Sequence, residues 1–148
     1  MDQITRDLRQ SVELTDKGGT FLVAQPRPME FYSAIDHDGA PELVTYRVQA
    51  PSLLRSVFEP TTQVAPYTYG SIAFSSVTVV KSLDGNWNGN IFTYYDRQDP
   101  PQEVPPGHKE DVSAVALRLI NGATLNKKTA FVDLSTWVKI RSVHNSID

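Results

Sequence analysis

The stretch YGSIAFSSVTVVKSLDGNWNGNIFTYYDRQDPPQEVPP, residues 69–106, decides the fold of this chain. Its first half is rich in β-branched and aromatic residues, its centre is rich in glycine and asparagine, and its end is rich in proline. Two β-rich runs on either side of residues that tolerate positive φ are typical of a β-hairpin. The sequence therefore predicts a hairpin that ends in an ordered, proline-rich surface loop.

The apolar pattern changes phase within the first half of this stretch. Ile72 and Phe74 alternate in one phase, and Val77 and Val79 alternate in the other. Because side chains along a strand repeat every two residues, the change indicates a β-bulge at the two intervening serines or a strand buried on both faces, and we favour the bulge. The return strand, residues 91–96, is apolar on both faces, which is typical of a strand in the middle of a sandwich.

Other segments also have strand patterns. Residues 42–50 alternate between apolar and polar side chains and predict a strand with one buried and one wet face, as do residues 130–143 over a greater length. A short strand is predicted at residues 20–25. Two segments are ambiguous: residues 52–58 fit a strand or a short helix, and residues 109–121 fit either, with the helix favoured.

The strand patterns, the ten prolines and the scarcity of helical patterns predict an all-β protein, an antiparallel β-sandwich that is jelly-roll-like and has one or two short helices. Residues 1–17 show only a weak helical spacing and are predicted to be an N-terminal arm that orders against neighbouring subunits. Residues 18–148 are predicted to form a single β-sandwich domain, because a chain of 148 residues buries roughly 70% of its extended surface without staples.

Composition excludes several classes of function. The chain has no cysteine, so disulfides, thiolate metal sites and thiol catalysis are impossible. Its net charge of −3 is not that of a strongly basic domain, so nucleic-acid binding is not the default expectation. No apolar run approaches the roughly 20 residues that span a bilayer, and the first residues lack the apolar core of a signal peptide. We therefore expect a soluble protein that is made without a secretion signal and does not contact membranes.

The sequence carries none of the common catalytic motifs. Its three histidines, His37, His108 and His144, fall in predicted loops or at a terminus and lack the spacing of a metal site. It has no nucleophile elbow, P-loop or dinucleotide-binding glycine motif. We therefore expect that the protein is not an enzyme and that it needs no cofactor, apart from a divalent cation.

Two acidic segments are candidates for cation binding. Asp96 and Asp99 flank Arg97, and their carboxylates are suited to share a divalent cation such as calcium with oxygens of a neighbouring chain. An internal salt bridge to Arg97 or a capped turn is the alternative there. Residues 36–38, Asp-His-Asp, predict an Asx-rich turn within residues 29–41, and a set of cation ligands is the alternative.

Exposed rings and scattered cations predict contact surfaces. Trp87 on a polar turn and Trp137 on the wet face of its strand indicate an interface, to which we also assign Tyr95 and Arg97. Because the chain has little positive charge to offer, any contact with RNA is expected to be weak and non-specific. The groups that would carry it are Lys127, Lys128, Lys139 and Arg141.

Residues 77–101, VTVVKSLDGNWNGNIFTYYDRQDPP, resemble a region of the jelly-roll coat proteins of small icosahedral positive-strand RNA viruses, especially those of plants. The matching residues are Gly89, Ile91, Tyr95, Asp96, Asp99, Pro100 and Pro101. The resemblance implies a viral structural protein that self-assembles into a homo-oligomer such as an icosahedral shell, located in the virion and the host cytoplasm. Unlike such coat proteins, the chain has no strongly basic arm, since residues 1–17 hold three basic and four acidic residues.

Two other functions are compatible with the same residues. The segment Tyr95-Asp96-Arg97 is similar to the end of a hydrophobic strand in the plant-virus movement-protein superfamily, which implies a β-rich protein that is also non-enzymatic. A monomeric β-sandwich that binds carbohydrate or another ligand through Trp87 and Trp137 is the alternative from a different class. The size of the purified protein, a large particle or a monomer, separates the first function from the last.

Overall fold

The computed structural model describes residues 2–36, 38–49, 51–81, 83, 89–105, 107–125 and 128–140. Its elements, in chain order, are helix α1 (Asp2–Arg9) and strands β1 (Phe21–Ala24), β2 (Met29–Ser33), β3 (Glu42–Gln49), β4 (Ser52–Phe58), β5 (Ser75–Val80), β6 (Phe92–Tyr95), β7 (Ala114–Leu125) and β8 (Lys128–Lys139). Two short 3₁₀ helices lie at Thr15–Lys17 and Lys109–Asp111.

The strands form two antiparallel sheets, one with the order β1-β2-β3-β4-β5 and the other with the order β6-β7-β8. The predicted all-β, antiparallel class is therefore confirmed. Within each described sheet every pairing joins strands that are consecutive in the chain, which is a meander. A jelly roll instead pairs strands that are distant in the sequence, through Greek-key connections.

The two sheets pack face to face around a shared core. Phe21 on β1 lies edge-on to Tyr94 on β6, with ring centroids 5.8 Å apart, and Tyr46 on β3 lies edge-on to Phe92 on β6 at 6.5 Å. The hydroxyl of Tyr94 donates a hydrogen bond of 2.7 Å to the carbonyl of Gln25. These contacts make the molecule a β-sandwich, as expected from its strand patterns.

The predicted hairpin within residues 69–106 is wrong. Strand β5 pairs with β4 in the larger sheet, and β6 pairs with β7 in the smaller one, so this stretch connects the two sheets. Glycine and asparagine mark a reversal of the chain but do not determine which strand lies alongside. The bulge was also placed wrongly: the two serines pair regularly with β4, and the register shifts near Val79, between the pairs Leu54–Thr78 and Leu53–Val80.

The favoured helix over residues 109–121 is wrong as well. Only Lys109–Asp111 is helical, and the chain then enters β7, which pairs with β6 on one side and β8 on the other. Val115, Leu117 and Leu119 are all buried, which is the period of two that the alternative interpretation required. Cross-strand pairing on both edges decides between two patterns that the local sequence satisfies equally.

Strand β2 lies where the sequence predicted only a turn, and every one of its residues is buried. Its two faces contact two hydrophobic clusters: the core between the sheets, which includes Phe31, and a second cluster outside the larger sheet, which includes Tyr32. The two clusters also cover both faces of the first five residues of β3, where the sequence predicted that one face is exposed to solvent. Because cover on both faces is set by the rest of the fold, the alternation in a strand's own sequence does not show how many of its faces are buried.

The N-terminal segment packs against the chain's own sheets. Ile4 and Leu8 on α1 are buried in the core between the sheets, and Val12 and Leu14 belong to the outer cluster. The amide of Val12 also donates a 2.9 Å hydrogen bond to the carbonyl of Tyr32. The sequence predicted an arm that orders against neighbouring subunits, whereas here its apolar side chains are buried within one subunit.

Candidate functional site

The two edges of the larger sheet differ. At β1, the Lys109 ammonium donates a 3.1 Å hydrogen bond to the carbonyl of Leu22, so a side chain from the 3₁₀ helix occupies that edge. At the opposite edge, β5 pairs only with β4 among the described strands. An open strand edge presents unpaired backbone donors and acceptors and is a template for another strand.

The segment that leads into β5 is uncharged and exposes large apolar side chains. Residues 60–80 contain no aspartate, glutamate, lysine, arginine or histidine. Within this segment Ile72 is 87% exposed, Phe74 is 76% exposed and Val77 is 46% exposed. We call these three side chains together with strand β5 the apolar edge. Large apolar side chains that are exposed beside an open strand edge mark surfaces that contact another molecule.

The apolar edge is held in place by hydrogen bonds before and within the segment. Before it, the hydroxyl of Tyr69 donates a 2.6 Å hydrogen bond to the carbonyl of Pro41. Within it, the amide of Phe74 donates a 2.8 Å hydrogen bond to the carbonyl of Val57 on β4. The surface is therefore part of the ordered sheet.

A second surface lies on the outer face of the smaller sheet. Trp137 on β8 is about half exposed, and its ring lies 4.5 Å from the ring of Tyr95 on β6, centroid to centroid. The indole borders an open groove of about 570 Å³, which is also lined by Thr93 and Ser135. An aromatic ring beside hydroxyl groups is suited to stack on the apolar face of a sugar.

An arginine–carboxylate pair fixes one side of this groove. Arg118 donates to both carboxylate oxygens of Asp133, at 3.1 and 2.7 Å. This hydrogen bonding lowers the pKa of the Asp133 carboxyl and raises that of the Arg118 guanidinium. Both groups therefore remain charged throughout the neutral pH range, and the pair places charged, hydrogen-bonding groups next to Trp137.

The structure supports a capped turn at Asp96. Its carboxylate oxygen accepts hydrogen bonds from the amides of Gln98, at 3.0 Å, and Gln102, at 2.9 Å. Asp99 is exposed, and neither aspartate joins a described group of three or more carboxylate or histidine ligands. Asp96 and Arg97 border an open, mainly acidic groove of about 820 Å³. An intersubunit cation at Asp96 and Asp99 stays a prediction.

The remaining site residues from the sequence are dispersed or outside the described residues. Lys128 and Lys139 are the first and last residues of β8, so they are about 36 Å apart at roughly 3.3 Å per residue. A single patch around one phosphate group cannot include both. Trp87, Lys127 and Arg141 lie outside the described residues.

The apolar edge was missed at the level of the sequence. Ile72, Phe74 and Val77 were assigned to a hairpin and therefore to the core, because apolar residues in a β-rich run are usually buried. The signal that marks them as different is the absence of charge from residues 60–80. An edge strand that is exposed to solvent normally carries charged side chains that prevent pairing with another strand, and β5 carries none.

Comparison with known proteins adds no assignment: no protein-family model and no curated protein matches the chain. Among the described residues, no helix is both long and apolar enough to cross a membrane. The function is therefore inferred from the surfaces of the fold and from the resemblance of residues 77–101.

Proposed function

We propose that the chain is a structural subunit, of the viral coat type, that associates with copies of itself through the apolar edge. The observation that carries the proposal is the exposure of Ile72, Phe74 and Val77 beside an open strand edge. The resemblance of residues 77–101 to jelly-roll coat proteins points the same way, although the meander order of the strands is not that of a jelly roll. Self-association would remove both the apolar side chains and the open backbone edge from water.

A second copy of the chain is the partner that this surface suits best. An antiparallel strand edge can pair with the same edge of another copy about a two-fold axis, and the interface is then self-complementary. In such pairing residue i of one copy faces residue j of the other and the reverse, so charges of one sign along the edge would lie close to one another. Residues 60–80 carry no charge, and like charges therefore do not oppose this contact.

The experiment is to measure the mass of the purified chain in solution by light scattering and sedimentation over a range of concentrations. The proposal predicts a dimer or a larger particle, whose form electron microscopy would show. Val77→Lys places a charge on the apolar edge and should shift the protein to monomer. Leu134→Lys is the matched control, because Leu134 lies on the smaller sheet and is 44% exposed, close to the exposure of Val77.

Two outcomes would contradict the proposal. The first is a wild-type chain that stays monomeric at every concentration. The second is a Val77→Lys variant that associates as strongly as both the wild type and the Leu134→Lys control. Circular dichroism of each variant would show whether the fold is kept, as is expected for substitutions of partly exposed side chains.

The groove at Trp137 favours one second candidate, a monomeric carbohydrate-binding module. The observation is the half-exposed indole that packs against the ring of Tyr95 next to the Arg118–Asp133 pair. Titration with soluble polysaccharides, followed by calorimetry, tests it. Binding that Trp137→Ala abolishes and Trp137→Phe keeps, by a monomeric chain, would replace the first proposal with the second.

A further inference from the structure

Four carboxylates converge at one end of the larger sheet. Asp36 and Asp38 lie in the loop between β2 and β3, Glu42 is the first residue of β3, and Glu59 directly follows β4. The neighbouring pair Leu43–Phe58 in the sheet brings the last two together. One carboxylate oxygen of each residue lies within 4.8 Å of the others. We call these four residues the acidic cluster.

The carboxylate of Glu42 is the least accessible member. The residue is only 1% exposed, and one of its oxygens accepts a 2.8 Å hydrogen bond from the amide of Ile35. Its other oxygen is buried and has no hydrogen-bond donor among the described residues. Burial of a charged carboxylate oxygen without a hydrogen-bond partner costs a large free energy, so a proton or a cation is required beside it.

The neighbours of Glu42 within the cluster are all acids. A carboxylate oxygen of Glu42 lies within 4.8 Å of carboxylate oxygens of Asp36, Asp38 and Glu59. Ionised carboxylates cannot donate hydrogen bonds to one another, so either a proton or a metal cation must lie between them.

Basic side chains do not supply the missing charge in the part of the chain that the structure describes. Its ion pairs join Arg47 to Glu30, Arg55 to Asp7, His108 to Glu110 and Arg118 to Asp133. None of them includes a member of the acidic cluster. His37, between two of the acids in the sequence, lies outside the described residues.

We propose that the acidic cluster binds one divalent cation, and that the cation is calcium. Calcium takes oxygen ligands at about 2.3–2.6 Å, so four oxygens that all lie within 4.8 Å of one another are close enough to share one ion. The exposed carboxylates of Asp36 and Asp38 leave room for the waters that complete its coordination shell. Magnesium requires a smaller and more regular shell, which a loop and two strand ends are less suited to form.

The bound ion would tie the loop before β3 to the end of β4. Asp36 and Asp38 approach from the loop, whereas Glu42 and Glu59 are held by the sheet. This site is separate from the apolar edge, and the inference does not depend on the proposed self-association.

The test is calorimetric titration of chelator-treated protein with calcium chloride at about pH 8, where the ligands are deprotonated. Thermal unfolding with and without calcium is the second readout. Luminescence of terbium excited through tyrosine is the third readout, because the hydroxyl of Tyr69 donates a hydrogen bond to the carbonyl of Pro41, next to Glu42.

The variants are Glu42→Gln and Asp38→Asn, which keep the shape of each side chain. The matched control is the double variant Asp2→Asn/Asp16→Asn, which removes two exposed carboxylates that belong to no described group of possible metal ligands.

The proposal predicts one saturable calcium site per chain and a higher unfolding temperature with calcium. Each cluster variant should weaken calcium binding by about tenfold or more, because affinity follows the charge of the ligand set, and the control should bind like the wild type. Absence of saturable heat and of any thermal shift would show that the carboxylates share only a proton and would overturn the proposal. Equal affinity for magnesium would overturn the assignment to calcium. If Glu42→Gln does not fold, the exposed Asp38→Asn variant decides the question alone.

Discussion

Arg55 on β4 donates two hydrogen bonds to the buried carboxylate of Asp7 on α1, one of 2.6 Å from Nε and one of 3.1 Å from Nη2. The hydroxyl of Tyr46 donates 2.5 Å to the same carboxylate, and the amide of Gln3 donates 2.8 Å. Burial opposes the charge on Arg55, yet Asp7 raises the pKa of the guanidinium above its ordinary value. Through these hydrogen bonds the carboxylate of Asp7 fixes α1 to the larger sheet.

Removal of one partner from this network should destabilise the fold. In Asp7→Ala the guanidinium of Arg55 stays buried without its anion, and we expect the free energy of unfolding to fall by about 3–5 kcal/mol. The double variant Asp7→Leu/Arg55→Met removes both charges and should lose less than Asp7→Ala alone. Chemical denaturation measures both. The control is Asp2→Ala on the exposed first turn of α1, which should cost about 1 kcal/mol at most.

Deletion of residues 1–15 should impair the fold itself. The sequence predicted an arm separate from the β-sandwich, which would leave the sandwich folded after this deletion, but the structure buries Ile4 and Leu8 in the core between the sheets. Each buried aliphatic side chain contributes about 1.5–3 kcal/mol, so the deletion removes a large part of a typical domain's stability. Circular dichroism and thermal unfolding check this.

A point substitution separates the packing of the segment from its length. Leu8→Ala should cost about 2–5 kcal/mol, and Leu22→Ala, at an exposed position on β1, should cost much less. A truncated chain with an unchanged unfolding temperature would instead show that the segment is a true arm.

The strands were predictable where one face is exposed to solvent, because apolar and polar residues then alternate. Residues 130–143 alternate, and residues 130–139 of this segment lie in β8, while residues 141–143 are outside the described residues. Residues 52–58 were limited to a strand or a short helix and form β4. Prediction failed where tertiary structure decides: β2 is covered on both faces, and β5 pairs with β4 instead of β6. Strand pairing depends on contacts between distant residues, about which local periodicity carries no information.

The candidate sites follow the same division. Asp36 and Asp38 were recognisable as a turn or a set of cation ligands, because they are adjacent in the sequence. Glu42 and Glu59 join them only through the register of β3 and β4. Nothing local to Asp7 distinguishes it from the exposed acids of residues 1–17, since its partner Arg55 is 48 residues away.

Self-association should not require RNA and should be insensitive to salt. The apolar edge carries no charge, so neither Coulomb attraction nor the release of counterions drives its pairing. Sedimentation of nuclease-treated protein in low and high salt measures this, with the absorbance ratio at 260 and 280 nm as a check for residual RNA. An assembly that dissociates in high salt, or that forms only with RNA, would contradict the prediction and would direct attention to lysines such as Lys139.

Charge removal at Asp96 and Asp99 separates the capped turn from an intersubunit cation. The double variant Asp96→Asn/Asp99→Asn keeps an acceptor for the amides of Gln98 and Gln102, so we expect a change in unfolding free energy within about 1 kcal/mol. Asp96→Ala removes that acceptor and should lower the free energy of unfolding by about 1–3 kcal/mol.

If the carboxylates also hold a cation between subunits, the Asn variant alters the response of assembly to a chelator, while Glu110→Gln/Asp111→Asn in the same groove does not. Sedimentation between about pH 5 and pH 8, with and without chelator, provides the comparison. Identical behaviour of the wild type and the Asn variant would leave Asp96 as a turn cap alone.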